Sequence, residues 1–205
     1  MTFNPESKYP MEAHLPSSVT GASEVSADSY AGGFSARKLL RDGTPVCIRA
    51  IRPDDKERLR IAFEHLSARS IYRRFFRPIT ALTPDTLRRL TELDFRDHVG
   101  LVLTVVEEGG ERLIAVARFV RAPSGGNSAE VAVTVADEYQ HRGAATLLLD
   151  QLVRLARCAG VREFVALVLE DNREMLKVFE NSQLPLRQSF EGGLRRVVLS
   201  LGAAT

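Results

Sequence analysis

The sequence carries almost no surplus of either charge: 28 lysines and arginines face 26 aspartates and glutamates, a formal net charge of +2 over 205 residues. Nucleic-acid binders draw much of their affinity from a basic excess, so nucleic acid is not an expected partner. Cysteine is scarce too. Cys47 and Cys158 are too few for a disulfide framework, lack metal-ligand spacing, and read as two buried structural thiols. His65 and His98 have no partner at ligand spacing, so they read as structural histidines and no metal is expected. No apolar run approaches the roughly 18 residues of a membrane span. Met1 to Tyr9 lacks the basic-then-apolar order of a signal peptide, so the expected location is cytoplasmic, away from a membrane. Internal repeats are absent.

With 44% hydrophobic and 26% charged residues, the chain is too apolar for a disordered protein and suits one domain plus a tail. Residues 1–35 lack apolar periodicity and read as that tail, with Tyr30-Ala31-Gly32-Gly33 as a linker. The domain is expected over 36–205, with compact structure beginning near Thr44. Val46 to Ile51 reads as a strand. Pro53, Asp54 and Asp55 open a helix, because acids favour the positive end of the helix dipole, and Leu59, Phe63 and Leu66 face inward. Ser67 caps a second helix carrying Ile71, Tyr72, Phe75 and Phe76. Thr83 caps a third, with Pro84 at its first position and Leu87, Leu90 and Leu93 inward.

Three strands follow, near Val99–Glu107, Arg112–Arg121 and Ala129–Ala136, joined by turns at Gly109-Gly110 and Ser124-Gly125-Gly126-Asn127. A long helix from about Gly143 to Ala159 buries Leu148, Leu152 and Leu155 and ends on Gly160. Phe164–Leu169 is apolar throughout, the pattern of a strand buried on both faces. Asp171 or Asn172 opens a further helix, and two short strands around Gly192-Gly193 close the chain. This order implies an α/β (α+β) fold: a mixed central sheet of about six to seven strands with helices on both faces. The strand–helix–strand unit around the long helix makes its two strands parallel neighbours.

The segment Gln140-His141-Arg142-Gly143-Ala144-Ala145 lies between a strand and that long helix. Its small residues let a ligand approach the backbone, and a helix N-terminus offers unpaired N–H groups to an anion such as a pyrophosphate. A plain strand-to-helix turn, with small residues for packing, is the other reading. Together with the apolar strand and Asp171-Asn172-Arg173-Glu174 downstream, the segment resembles the GNAT family of N-acetyltransferases over about residues 46–200. That family carries Arg/Gln-x-x-Gly-x-Gly/Ala between its fourth strand and the next helix and binds acetyl-CoA there. More narrowly, Ser70-Ile71-Tyr72-Arg73-Arg74-Phe75-Phe76, Leu82-Thr83-Pro84 and Ala129-Glu130-Val131-Ala132-Val133 look like the acetyltransferase domain of bacterial Pat-type protein lysine acetyltransferases. Some of these carry an extra nucleotide-binding or ligase-like domain. This chain has no room for one, so such regulation is not carried over.

The resemblance implies acetyl-CoA as co-substrate and direct attack of a primary amine on the thioester. An alkyl ammonium, pKa ~10.4, must first lose a proton. Glu130 matches the Pat-type general base, and a carboxylate in a partly apolar cleft is suited to that task; a solvent-facing glutamate is the alternative. Val133, Thr134 and Val135 occupy the strand whose backbone N–H groups bind the pantetheine arm and the thioester oxygen. Gln140, His141, Arg142, Gly143, Ala144 and Ala145 form the pyrophosphate loop, although His141 and Arg142 also fit a solvated loop. Asn172 matches a pantetheine contact and equally fits a helix N-cap. Phe179 departs from the family, which often has there the tyrosine that protonates the leaving thiolate; here it serves as an apolar wall beside the sulfur. Arg69, Arg73, Arg74 and Arg77 read as a solvated helix face or as a surface for an acidic acceptor. The expected function is transfer of acetyl to a protein lysine, with a small-molecule amine as the alternative acceptor. A CoA-binding sensor without turnover is the third reading.

Overall fold

The computed structural model describes residues 31–121 and 126–202. Eight strands form one sheet in the order β1-β2-β3-β4-β5-β6-β8-β7. They are Ser35–Leu39 (β1), Pro45–Ala50 (β2), His98–Glu107 (β3), Gly110–Arg121 (β4), Ser128–Val135 (β5), Glu163–Leu169 (β6), Leu186–Glu191 (β7) and Leu194–Ser200 (β8). Helices span Lys56–Glu64 (α1), Ala68–Phe75 (α2), Pro84–Thr91 (α3), Ala144–Cys158 (α4) and Arg173–Glu180 (α5).

Local chemistry sets the helix ends. Ser67 Oγ accepts the Ser70 N–H at 3.2 Å, and Thr83 Oγ1 accepts that of Thr86 at 3.1 Å, with Pro84 in the first turn. Beyond α4, Gly160 takes φ +78°, the left-handed conformation that closes a helix. Alternation along β3 divides the core: Leu101 and Leu103 face α4 and α5 with Leu148, Leu152 and Leu176. Val102 faces the other way, toward Leu59 and Phe63 of α1 and Leu87 of α3. Both faces of the mixed sheet are therefore covered by helices, as the element order predicts.

Several expectations are corrected. The sheet has eight strands, not six to seven, because β1 pairs antiparallel with β2 from Ser35↔Arg49 to Leu39↔Pro45. Compact structure thus begins before Thr44. β1 is an edge strand that is exposed along most of its length, so its place comes from backbone pairing and not from an apolar pattern. Residues 1–30 of the expected tail, and Ser124 and Gly125 of the Ser124–Asn127 turn, lie outside the described residues. Cys158 is exposed and Cys47 only partly buried, so the pair is not a set of core thiols. On β6, Phe164, Ala166 and Val168 are buried while Val165 and Leu167 are only partly so. Helices α1 and α3 pack over β3 and β4, leaving that face of β6 less covered.

Asp55 does not simply complement a helix dipole. It is wholly buried, and its two oxygens accept from Arg49 at 2.7 Å each and from the Arg52 N–H at 2.8 Å. Arg49 also forks onto Glu111, at 3.0 and 2.8 Å. Burial alone would raise the Asp55 carboxyl, but these hydrogen bonds and charges outweigh it and hold it below the usual range. Hydrogen bonds from Arg49 hold Glu111 down to about 2.

Candidate active site

Every strand pair is antiparallel except β5–β6, which pair in parallel as expected, and for only three rungs: Ser128↔Glu163, Ala129↔Phe164 and Glu130↔Val165. Past Glu130 the strands diverge. The Ala136 N–H donates to the Ile114 carbonyl at 2.8 Å, which fixes the alternation along β5. The backbone groups of Ala132 and Thr134 thereby turn to β4, and those of Val133 and Val135 turn to the opening gap. Of the three residues named for that role, Thr134 spends its amide on β4.

The loop after β5 sits at the end of this gap. Two of its residues are left-handed, His141 at φ +62° and Gly143 at φ +89°. No side chain caps α4 at Gly143, so the first-turn amides of Ala144, Ala145 and Thr146 lack a partner within their own helix. A Cβ on Gly143 would meet Arg41 Cγ at 3.1 Å and Nε at 3.2 Å. The β1–β2 turn thus lays a cation over the loop, and the Arg41 N–H donates to the Arg142 carbonyl at 2.9 Å. Arg142 itself pairs with Asp42 at 3.0 Å and stands 5.1 Å over the Tyr139 ring. The Gln140 side chain turns inward, donating to the Val135 carbonyl at 3.2 Å, Ser70 Oγ at 3.3 Å and Asp137 Oδ1 at 3.2 Å. Asp137 in turn accepts from Ser67 and Ser70, docking the start of α2 beside the end of β5.

Across the gap, α5 begins at Asn172, whose Oδ1 accepts the Met175 N–H at 3.3 Å. The N-cap reading of Asn172 is therefore realised, with its amide nitrogen left for another partner. Glu174 lies within electrostatic reach of His141 and is held low first by its own backbone amide, then by Arg73 and Arg69 against the effect of burial. Arg73 donates to the Asp171 carbonyl at 2.9 Å and pairs with Glu174 at 3.2 Å, and Arg69 reaches Asp171 at 3.5 Å. These two arginines tie α2 to the far lip of the gap, which a uniformly solvated helix face would not do. Phe179 is 2% exposed and packed in the core, with almost no surface to offer a thiolate.

Glu130 stands on the last β5–β6 rung and is exposed, so the apolar burial invoked for it from sequence is not present. Its face of the sheet carries a cavity under α1, α2 and α3, lined by Leu59, Phe63, Phe75, Ala132, Thr134 and two arginines, Arg74 and Arg118. Sequence reasoning missed Arg41 and Arg118 and grouped Arg74 with its neighbours. No group of three or more potential metal ligands exists among the described residues.

The protein class follows from this fold and this gap. Residues 65–183, more than half of the chain, match the model of the acetyltransferase (GNAT) family. The chain belongs to that family of acetyltransferases, whose members use acetyl-CoA. Among particular proteins, it is 38% identical over 141 residues to Acetyltransferase Pat of Mycolicibacterium smegmatis, covering 69% of this chain and 41% of Pat. It is 33% identical over 159 residues to Acetyltransferase PA5475 of Pseudomonas aeruginosa, covering 78% of this chain and 85% of that one. The fold matches the crystal structure of the GNAT domain of S. lividans PAT with a TM-score of 0.74 at 38% identity, over 81% of this chain and 96% of that domain. The chain therefore spans less than half of Pat, most of PA5475 and nearly all of the isolated domain. No helix among the described residues is long and apolar enough to cross a membrane.

Proposed function

We propose that this chain moves the acetyl group of acetyl-CoA to a primary amine by direct attack, with a protein lysine as the acceptor. The observation that carries the reading is the three-rung β5–β6 ladder, which ends at Glu130 and opens toward an uncapped helix N-terminus. Acetyl-CoA supplies the activated acyl carbon. The first-turn amides of Ala144, Ala145 and Thr146, at the positive end of the α4 dipole, hold its diphosphate. Arg142 and Arg41 add positive charge beside that loop, His141 offers it a ring nitrogen, and Gln140 braces it. Backbone groups of Val133 and Val135 take the pantetheine arm as a partial strand and donate to the thioester oxygen as negative charge develops there. Asn172 offers its spare amide nitrogen to the same arm.

Glu130 removes the proton from the ammonium, directly or through one water. The amine nitrogen then bonds to the acetyl carbon, the carbon–sulfur bond breaks as the thiolate departs, and the nitrogen's extra proton passes to solvent, from which the thiolate is protonated. With phenylalanine at position 179, that position provides no acid for the leaving group. The similarity to Pat over most of this chain supports a lysine acceptor. The cavity beside Glu130 favours a second reading, a small amine of partly apolar character. The free thiols at Cys47 and Cys158 suit a reducing, cytoplasmic setting.

Thiol release from acetyl-CoA, measured over a panel of folded proteins and small amines, tests the reading. Release with proteins alone supports a lysine acceptor, and tight binding without release from any acceptor supports a sensor instead. Glu130→Gln is expected to lower turnover about 10²–10⁴-fold and leave the acetyl-CoA Kd unchanged. Full turnover in that variant at every pH would remove Glu130 from its role.

A further inference from the structure

Two cations remain outside the scheme above. Arg118 of β4 is 7% exposed, yet it makes no ion pair among the described residues. Its guanidinium reaches only uncharged acceptors, His98 Nε2 at 3.3 Å and the Leu90 carbonyl at 3.5 Å. Burial, with Arg118 adding to it, pushes His98 down to about 4, so this histidine is neutral and serves as an acceptor. Arg74 of α2 lines the same cavity and stands 5.1 Å from the Phe75 ring centroid, with no hydrogen bond or ion pair among the described residues. The acid whose charge reaches Arg74 is Glu130, beyond ion-pair distance. Around this cavity, then, two guanidiniums stand close enough to repel each other, and the carboxylate whose charge reaches one of them, Arg74, is the one proposed to become protonated.

Desolvated guanidinium without an anion is costly, and the fork geometry of arginine matches a carboxylate. Apart from Thr134, the remaining wall is apolar, with Leu59, Leu66, Leu82 and Leu90. The register fixes the spacing: Arg118 pairs with Ala132, and Glu130 with Val120. Arg118 and Glu130 are thus diagonal neighbours on one sheet face, with Cβ atoms about 7 Å apart or less. That distance suits an amine and a carboxylate carried on one amino acid or on adjacent residues.

We propose that this cavity binds the acceptor and that Arg118, with Arg74, holds a carboxylate of the acceptor beside the amine that Glu130 deprotonates. The proposal rests on the acetyl-transfer reading of the site. The carboxylate comes either from a free amino acid with an apolar side chain or from an acidic residue next to a target lysine; the chemistry is the same, and the test separates the sources.

Thiol release is measured with acceptors paired as carboxylate and carboxamide: phenylalanine against phenylalaninamide, and the C-terminally amidated peptide Gly-Asp-Lys-Gly against Gly-Asn-Lys-Gly. The carboxylate member of one pair is expected to show about tenfold or higher kcat/KM, carried by KM. In Arg118→Met that preference shrinks to near unity while the acetyl-CoA Kd stays fixed. A preference in the first pair identifies a free amino acid as the source, and one in the second identifies an acidic neighbour of lysine. Equal values within both pairs, or a preference that survives in both Arg118→Met and Arg74→Met, overturns the proposal. Should Arg118→Met lose its fold by circular dichroism, Arg74→Met alone carries the comparison. If no acceptor releases thiol, calorimetric titration of the same pairs into CoA-saturated protein gives the same comparison. Failure to bind acetyl-CoA at all refutes the acetyl-transfer reading, a result distinct from binding with no carboxylate preference.

Discussion

Replacing Gly143 with alanine tests the loop most directly, because the penalty can be worked out and controlled. Gly143 sits at φ +89°, where an L side chain is strained by about 1–2 kcal/mol. The new Cβ would also lie 3.1 Å from Arg41 Cγ, a flexible side chain that can shift by a few tenths of an ångström. If the loop holds the diphosphate only in its left-handed form, that strain appears as weakened binding, about five- to thirtyfold in the acetyl-CoA Kd. Gly160, just past the other end of α4, supplies the control: it has φ +78°, and a Cβ added there would meet nothing within 4 Å. Gly160→Ala is expected to lower the melting temperature by a similar increment without changing the Kd. Calorimetric titration with acetyl-CoA, run beside thermal melts of both variants, separates the two effects. Equal Kd values for Gly143→Ala and the parent, or equal weakening by Gly160→Ala, would refute the assignment.

Three further outcomes concern stability and the far lip of the gap. Asp55→Asn leaves Arg49 short of a buried anion and is expected to cost about 3–5 kcal/mol, read by denaturant unfolding; a loss under 1 kcal/mol would contradict the buried network. Glu111 and Asp55 both have carboxyl pKa values below their ordinary 4.5 and 3.8, so the stability they confer is complete above those values. It drains away as the pH falls below them, for Glu111 toward about 2, and Glu111→Gln should flatten the stability-versus-pH curve in that window. Asn172→Ala should cost about 1 kcal/mol through its lost cap, whereas Asn172→Ser keeps the cap. The serine variant is expected to retain its melting temperature yet bind acetyl-CoA about fivefold more weakly, and unchanged binding would leave Asn172 as a cap alone.

Much of the frame was legible from sequence because its signals are local. Ser67 and Thr83 cap where their side-chain oxygens predict, and the 3.6-residue stripe of Leu148, Leu152 and Leu155 forms the buried face of α4. The crossover around α4 fixes β5 and β6 as parallel neighbours. β1 escaped because an exposed edge strand needs no apolar alternation and is held by its neighbour's backbone. The arginines of α2 looked like one polar face, but the four-residue spacing of Arg69 and Arg73 stacks them together, while Arg74 is turned about 100° away, into the cavity. Arg118 lies in the middle of an apolar strand, and that oddity was the available signal. Asp55 read as a helix-start acid because nothing nearby in sequence shows that Arg49 is shared between it and Glu111.

The brevity of the β5–β6 seam has a mechanical consequence. Five strands lie on one side of it and three on the other, and the stitch between them is three residue pairs long. Any guest that threads the cleft and bonds to both margins acts as extra stitching, so cofactor occupancy and cohesion of the two leaves are linked by mass action. Amide exchange along β6 and β8 should therefore slow when the guest is present, and more than exchange in β2 and β3, which lie away from the seam.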